Sequence, residues 1–376
     1  MNRKRASGIS GALPNATGNQ EQRFAKAFRV LDEAVAGHVF PGASLAVTYC
    51  GELVAWRGFG RFTYDAASPR VTPETVWDLA SLTKPLATTA MAMLLYERGS
   101  LRLDAPVVER LPEFAHGDML QRGWREVVTA RMLLAHSAGL PAHRKLYLAA
   151  IGRKAMLTAA MRVPLETAPM ERTEYSDIGF MVLGELLERI AGEELDDFCR
   201  REVFEPINLN FHFIRQPERI MEVPPTMIDT VYRARTIQGE VNDENASAMG
   251  GVAGQAGLFG DARSVACFAE CLLRGGAPLF RPETVRLFTT RRNEPAGTSR
   301  TLGWDTPTPP SQAGEHFSQH SFGHLGYTGT SLWCDPDRRL SVTLVTNRTW
   351  PDASNQAIKQ LRPAVHDAIV SSLEDD

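Results

Sequence analysis

Ser81 stands three residues before Lys84 in the stretch DLASLTKPLATTAMAMLLYERG, at the mouth of a long apolar run. At a helix start, residues i and i+3 share one face about one turn apart. The first turn of a helix also carries unpaired N–H groups and partial positive charge. A serine there can present its hydroxyl to a substrate while its own N–H helps hold an oxyanion. A lysine beside it can take or relay the proton. The tetrapeptide is common without any function, so other segments must decide what it does here.

Two further segments carry chemistry. Tyr175-Ser176-Asp177 precedes an amphipathic helix in TEYSDIGFMVLGELLERI. A tyrosine is a poor base at neutral pH unless cations lower its pKa, and a lysine near Ser81 is expected to do so. The plain alternative is a packed tyrosine beside an N-cap region at Ser176 and Asp177. In GHLGYTGTSLW, Gly323, Gly326 and Gly329 thin the start of a strand. This would let a substrate approach the backbone and meet edge N–H groups. A glycine-rich turn before a strand is again the plain alternative.

The elements that must position these residues are readable in outline. QRFAKAFRVLDEAVAGH repeats apolar residues at helical spacing. GASLAVTYCGELVAWRGFG reads as two strands joined at Cys50-Gly51-Glu52. The helix carrying Ser81 and Lys84 tolerates Pro85 in its first turn and stops at Gly99. Residues 100–225 read as mainly helical. GYTGTSLWCDPDRRLSVTLVTNR reads as strand, turn and strand, and NQAIKQLRPAVHDAIVSSL as a closing amphipathic helix. Strands at both ends around a helical middle predict an α/β chain of α+β type. Its antiparallel sheet is built from both termini and flanked by helices, with an all-α insertion. The expected organisation is a disordered tail over 1–20, an α/β domain from 21–99 and 226–376, and a helical domain over 100–225. The active site is expected between the two domains.

The bulk numbers exclude several classes. With 376 residues, 43% of them hydrophobic, the chain can bury a large core. A net charge of −3 gives no nucleic-acid signal, and Arg3-Lys4-Arg5 reads as part of a solvated tail. No window is long and apolar enough to span a bilayer. The polar stretch after MNRKR does not form the apolar core of a signal peptide, so a cytoplasmic protein is expected. Cys50, Cys199, Cys267, Cys271 and Cys334 are odd in number and scattered, which argues against a disulfide framework. Cys267 and Cys271 are one helical turn apart, but no Cys/His pair completes a metal site, and they read as structural thiols. There is no His-Glu-x-x-His and no phosphate-binding loop, so neither metal nor cofactor is expected. His136 reads as structural, because no Gly-x-Ser-x-Gly elbow accompanies it.

Together, in this order, the three segments resemble the serine β-lactamase and penicillin-binding-protein superfamily. Within it the chain is similar to class C β-lactamases, family VIII esterases and D-aminopeptidase- or transesterase-like proteins. Their second motif is Tyr-x-Asn and their third is Lys-Thr-Gly or His-x-Gly. LLAHSAGLP and DENASAMGGVAGQAGLF extend the likeness. The resemblance implies Ser81 as the acylated nucleophile and Lys84 with Tyr175 as the proton-handling pair. It implies an oxyanion hole from the backbone N–H groups of Ser81 and Tyr327. Asp177, His324 and Gly326 fall at substrate-binding positions.

Two positions depart from the family pattern. Asp177 stands where Asn is usual, and an ionised Asp only accepts hydrogen bonds. His324 stands where β-lactamases carry Lys, and His is largely neutral at pH 7. Both weaken recognition of an anionic β-lactam and favour a neutral, short-chain ester. A β-lactamase or D-Ala-D-Ala-type peptidase is the alternative on the same machinery. A sensor module that acylates without turnover is a third reading. The expected partner is a small ester or amide, and no motif speaks to oligomeric state.

Overall fold

A computed structural model describes residues 13–216 and 218–374. After a short helix, α1 (Gln20–Arg23), and the amphipathic α2 (Ala25–Ala36), the chain forms β1 (Gly42–Tyr49) and β2 (Glu52–Gly60). Cys50 and Gly51 both take positive φ, 50° and 92°, as the two central residues of a tight hairpin with right-handed twist require. Strand β3 is only Trp77–Asp78, and α3 spans Ala90–Glu97. The middle of the chain supplies α4 (Met119–Glu126), α5 (Ala130–Leu134), α6 (Arg153–Arg162), α7 (Asp177–Ala191), α8 (Leu195–Cys199) and β4 (Phe211–Phe213). A small hairpin follows, β5 (Met227–Asp229) with β6 (Arg235–Ile237). Then come α9 (Glu244–Ala248), β7 (Leu258–Gly260), α10 (Ala262–Leu273) and α11 (Pro282–Thr289). The chain closes with β8 (Phe322–Leu325), β9 (Ser331–Asp335), β10 (Leu340–Thr346) and α12 (Ile358–Glu374).

The main sheet is antiparallel, in the order β2-β1-β10-β9-β8. The two ends of the chain therefore meet at the β1–β10 pair, with Leu45 opposite Leu344. Because side chains alternate between faces, each central strand feeds two cores. Leu45, Val47, Val342 and Leu344 pack with Phe28 and Leu31 of α2 and with Val365 and Ile369 of α12. Ala46 and Val345 face the other way, into a core shared with Val265 and Ala269 of α10. Both faces are covered, so even the polar residues of these strands are buried, and Thr48 and Ser341 share a hydrogen bond of 2.6 Å across the β1–β10 pair. A second small sheet, β3-β7-β4, ties the Ser81 segment to the later part of the chain.

Three expectations change. The composition placed residues 1–20 in a disordered tail. Residues 1–12, with the Arg3–Arg5 cluster, lie outside the described residues, but 13–20 are ordered. Leu13 is buried, and Ala16 donates its N–H to the Leu53 carbonyl at 2.8 Å. One apolar anchor and an edge of β2 suffice to fix a polar segment. The helix expected from Ser81 onward starts as a 3-10 turn, Ala80–Leu82, followed by a π-helical segment, Lys84–Thr89. Pro85 contributes no N–H to that ladder. Thr83 and Thr88 send their hydroxyls to the carbonyls of Ala80 and Gly254. Finally, the glycines of GHLGYTGT serve internal packing. A Cβ on Gly323 would meet the Trp333 ring at 2.3 Å, and one on Gly326 would meet Thr330 Oγ1 at 1.9 Å and the Leu79 carbonyl oxygen at 2.8 Å. Close backbone approach within the protein requires them, whatever a substrate does.

Candidate active site

Ser81 sits in a strained turn. Ala80 before it has φ of +48°, a conformation uncommon outside glycine. Asp78 holds that turn: its Oδ1 accepts from the Ala80 N–H at 2.8 Å and its Oδ2 from the Asn242 N–H at 2.6 Å. Burial pushes the Asp78 carboxyl up to about 6, even though those N–H bonds oppose the shift. The third-motif strand docks on the same turn. Thr328 and Thr330 donate their hydroxyls to the carbonyls of Asp78 and Leu79, at 2.9 and 3.1 Å. This is why Gly326 must lack a side chain, and it brings Tyr327 to the cavity that Ser81 lines.

Lys84 is fully buried, and its ammonium uses three acceptors. Nζ donates to Ser81 Oγ at 3.0 Å, to Asp177 Oδ1 at 2.6 Å and to the Gln255 carbonyl at 3.0 Å. Burial alone would lower the lysine's pKa. The Asp177 carboxylate and Tyr175 outweigh it and leave it raised. Asp177 is held low, to about 2: burial works against this, and Lys84 and His143 overcome it.

Tyr175 is clamped from the LLAHSAGLP loop. His136 accepts the Ser176 N–H on Nδ1 at 2.9 Å and the Glu174 N–H on its carbonyl at 2.9 Å, which brackets the tyrosine. Its ring lies 4.6 Å from the Tyr175 ring. Because Nδ1 accepts, the imidazole is neutral, and burial holds its pKa well below 6.5. Ser176 caps α7 by accepting from the Gly179 N–H at 2.9 Å. Lys84 Nζ lies 4.9 Å from the centre of the Tyr175 ring. The lysine does pull the tyrosine down, as expected, but it does not win. Burial, joined by Asp177, raises Tyr175 above its ordinary value, and Lys84 only moderates the rise. An Asn at 177 would not have spent the lysine's charge.

His324 is buried and neutral, pushed down to about 3 by burial first, then by Lys84 and Arg300. Its Nδ1 is 2.8 Å from the Leu325 carbonyl. Ser81, Tyr175, Asp177, His324, Gly326 and Tyr327 all line one open cavity of about 830 Å³. The cavity is more charged than the sequence implied. His143, Asp243 and Arg300 face it, and the Arg300 guanidinium lies 5.3 Å from the centre of the Tyr175 ring. Sequence reasoning gave no role to these three, nor to Gln255. Gln255 and Asp243 sit inside the recognised DENASAMGGVAGQAGLF segment, which was the available signal. Elsewhere, among the described residues, Glu194, Asp196 and Asp197 converge, but Arg215 already pairs with all three.

Comparison with known proteins decides the family. The beta-lactamase family model matches residues 27–366. The chain belongs to the beta-lactamase family. It is 29% identical to a putative D-alanyl-D-alanine carboxypeptidase of Escherichia coli (strain K12), over 82% of this chain and 79% of the relative. It is 30% identical to the N-acetylmuramyl-L-alanine amidase of Bacillus subtilis (strain 168), over 86% of this chain and 81% of the relative. Among solved structures, EstCE1, a hydrolase with promiscuous acyltransferase activity, superposes with a TM-score of 0.76 at 23% identity, covering 92% of this chain and 99% of that one. The fold is therefore that of β-lactamases and penicillin-binding-protein homologues, in a family of hydrolases. No helix among the described residues is long and apolar enough to cross a membrane.

Proposed function

We propose that this protein is a cofactor-independent serine hydrolase that works through an acyl-enzyme on Ser81, cleaving carboxylic esters. The observation that carries the reading is the 3.0 Å contact between Lys84 Nζ and Ser81 Oγ at the wall of a substrate-sized cavity. In this reading Ser81 Oγ bonds to the acyl carbon, and its proton passes through Lys84 and Tyr175 to the departing alcohol. The N–H groups of Ser81 and Tyr327 hold the oxyanion. Water then releases the acid. The neutral His324 supports an uncharged substrate group at the third-motif position. We place the cavity between an α/β part, 21–99 and 226–376, and a helical part, 100–225.

A second reading, amide cleavage in peptidoglycan-like substrates, is favoured by the names of the two curated relatives. The size of the cavity and its facing charges, Arg300 and Asp243 among them, also suit a larger polar ligand than a short-chain ester. One set of assays separates the readings: p-nitrophenyl butyrate, nitrocefin and D-amino-acid amides, followed from the first turnover. A stoichiometric burst without turnover identifies a sensor. Ser81→Ala should lose hydrolysis by several orders of magnitude and lose labelling by a fluorophosphonate, with the fold retained. Activity surviving in that variant would move the nucleophile elsewhere.

A further inference from the structure

The resting proton arrangement poses a problem for any Ser81 chemistry. Lys84 has three acceptors and a carboxylate at 2.6 Å, so it rests as an ammonium that donates to Ser81 Oγ. An ammonium cannot receive the serine proton. Tyr175 rests as a neutral phenol, so it is no better. A proton must leave Lys84 before Ser81 can be acylated, and the buried lysine has no direct route to water.

Asp177 supplies a route. Its Oδ1 faces Lys84, and its Oδ2 lies 3.8 Å from His143 Nδ1, an ion-pair contact longer than a hydrogen bond. His143 directly follows Ala142, whose carbonyl accepts the Asp177 N–H at 2.9 Å, so loop and carboxylate are held in register. The His143 side chain is 40% exposed and lines the cavity, in contact with solvent. We propose that Asp177 and His143 form a relay that carries the Lys84 proton to the cavity and so sets when Ser81 can react. The inference rests on the acyl-enzyme reading above. His143 acts through Asp177 and is a positioning residue for the proton.

The step balances. A proton moves from Lys84 Nζ to Asp177, and after a half-turn of the carboxyl group it passes to His143 Nδ1. Lys84 is left as an amine with a lone pair beside Ser81 Oγ. As Oγ bonds to the acyl carbon, its proton goes to Lys84, then through Tyr175 to the leaving oxygen as the C–O bond breaks. After deacylation the His143 proton returns or is lost to water. The groups facing His143 are Asp177 on α7, Asp243 and Glu244 at the start of α9, and Lys145 on its own loop. The carboxylates favour its charged form, and the Asp177 contact leads in raising it above 6.5. The relay needs neutral His143, so activity should fall as pH drops below that raised value.

The test is the pH profile of kcat/KM on p-nitrophenyl acetate for wild type, His143→Gln, Asp177→Asn and the double variant. His143→Gln should abolish the acid limb near neutrality and cost about 10-fold above it, somewhat under the roughly 100-fold typical of a proton acceptor in direct contact. In Asp177→Asn the lysine loses its counter-charge and can serve as an amine unaided. Adding His143→Gln there should change nothing. A wild-type acid limb in His143→Gln, or the same loss in both backgrounds, would overturn the relay. If Ser81→Ala is inactive while His143→Gln keeps the wild-type profile, the relay alone fails. If Ser81→Ala is active, the acyl-enzyme reading fails.

Discussion

At the scale of single residues, the chemistry reduces to where one positive charge is spent. Ser81 and Lys84 are three apart, so their meeting was legible in the sequence. The Lys84–Asp177 pair was not, because its members are 93 residues apart and only the fold brings them together. The departure at Asp177 was visible, but its pairing with Lys84 was not. The carboxylate pairs with Lys84 at the cavity wall, and it adds to the burial that keeps Tyr175 protonated. His324 shows the same limit. From the sequence, a lysine there would add a hold on a β-lactam carboxylate, blunted by the nearby Asp177. In the structure it would be a third cation beside Lys84 and Arg300, with the Asp177 carboxylate already engaged. A buried charge without a partner costs about 3 kcal/mol. His324→Lys should therefore lose about that much in urea unfolding, and Arg300→Ala should recover part of it in the double variant. A single variant as stable as wild type would show that the new ammonium reaches the water of the cavity.

At the scale of elements, long and strongly patterned pieces were readable and short ones were not. The β1–β2 hairpin announces itself through Cys50-Gly51, and β9–β10 through the turn after Asp335, whose Oδ1 accepts the Asp337 N–H at 3.1 Å. Strands β3, β4 and β7 have only two or three residues each and exist because the fold aligns them. The π-helical turn after Ser81 has no local sequence signature, and such turns recur at functional sites. The third-motif strand gives the sharpest element-level prediction. Gly326→Ala puts a Cβ 1.9 Å from Thr330 Oγ1 and 2.8 Å from the Leu79 carbonyl oxygen, so the strand must lift off the Ser81 turn. Overpacking of this kind costs about 1–3 kcal/mol, and Tyr327 moves with the strand. Activity should fall by far more than stability. Gly123→Ala, in the middle of α4 with open space at its Cβ, should leave activity unchanged and gain up to about 1 kcal/mol. A Gly326→Ala protein with wild-type kcat/KM would separate this strand from the reaction.

At the scale of the whole molecule, the two ends of the chain close one sheet, and this was legible because each end carries a strand-turn-strand pattern rich in β-branched and apolar residues. Less legible was how many ionisable groups that closure buries. His136, His324 and His366 are all buried, and burial holds each below the ordinary histidine value, to about 3 for the latter two. The sign follows from proton counting. Below about 6.5 the unfolded chain takes up protons on these histidines and the native state does not, so each removes stability as pH falls, by about 1.4 kcal/mol per pH unit. Raised carboxyls act in the opposite direction. Between about pH 4 and 6, Asp78, at about 6, stays protonated in the fold while its unfolded counterpart ionises, and Asp243 and Glu188 are shifted the same way. The net slope is therefore a difference between two buried populations, and one variant isolates one member. His366 lies on α12 with its ring 5.5 Å from that of Phe317, and it is not among the residues lining the cavity. His366→Leu keeps an apolar contact there and removes one titrating group. Urea unfolding at pH 4, 5, 6 and 7 should show the variant gaining on wild type by about 1.4 kcal/mol for each unit below 6.5, with ester hydrolysis at pH 7.5 unaffected. Parallel curves for the two proteins would mean that His366 takes up its proton in the folded state as readily as in the unfolded one.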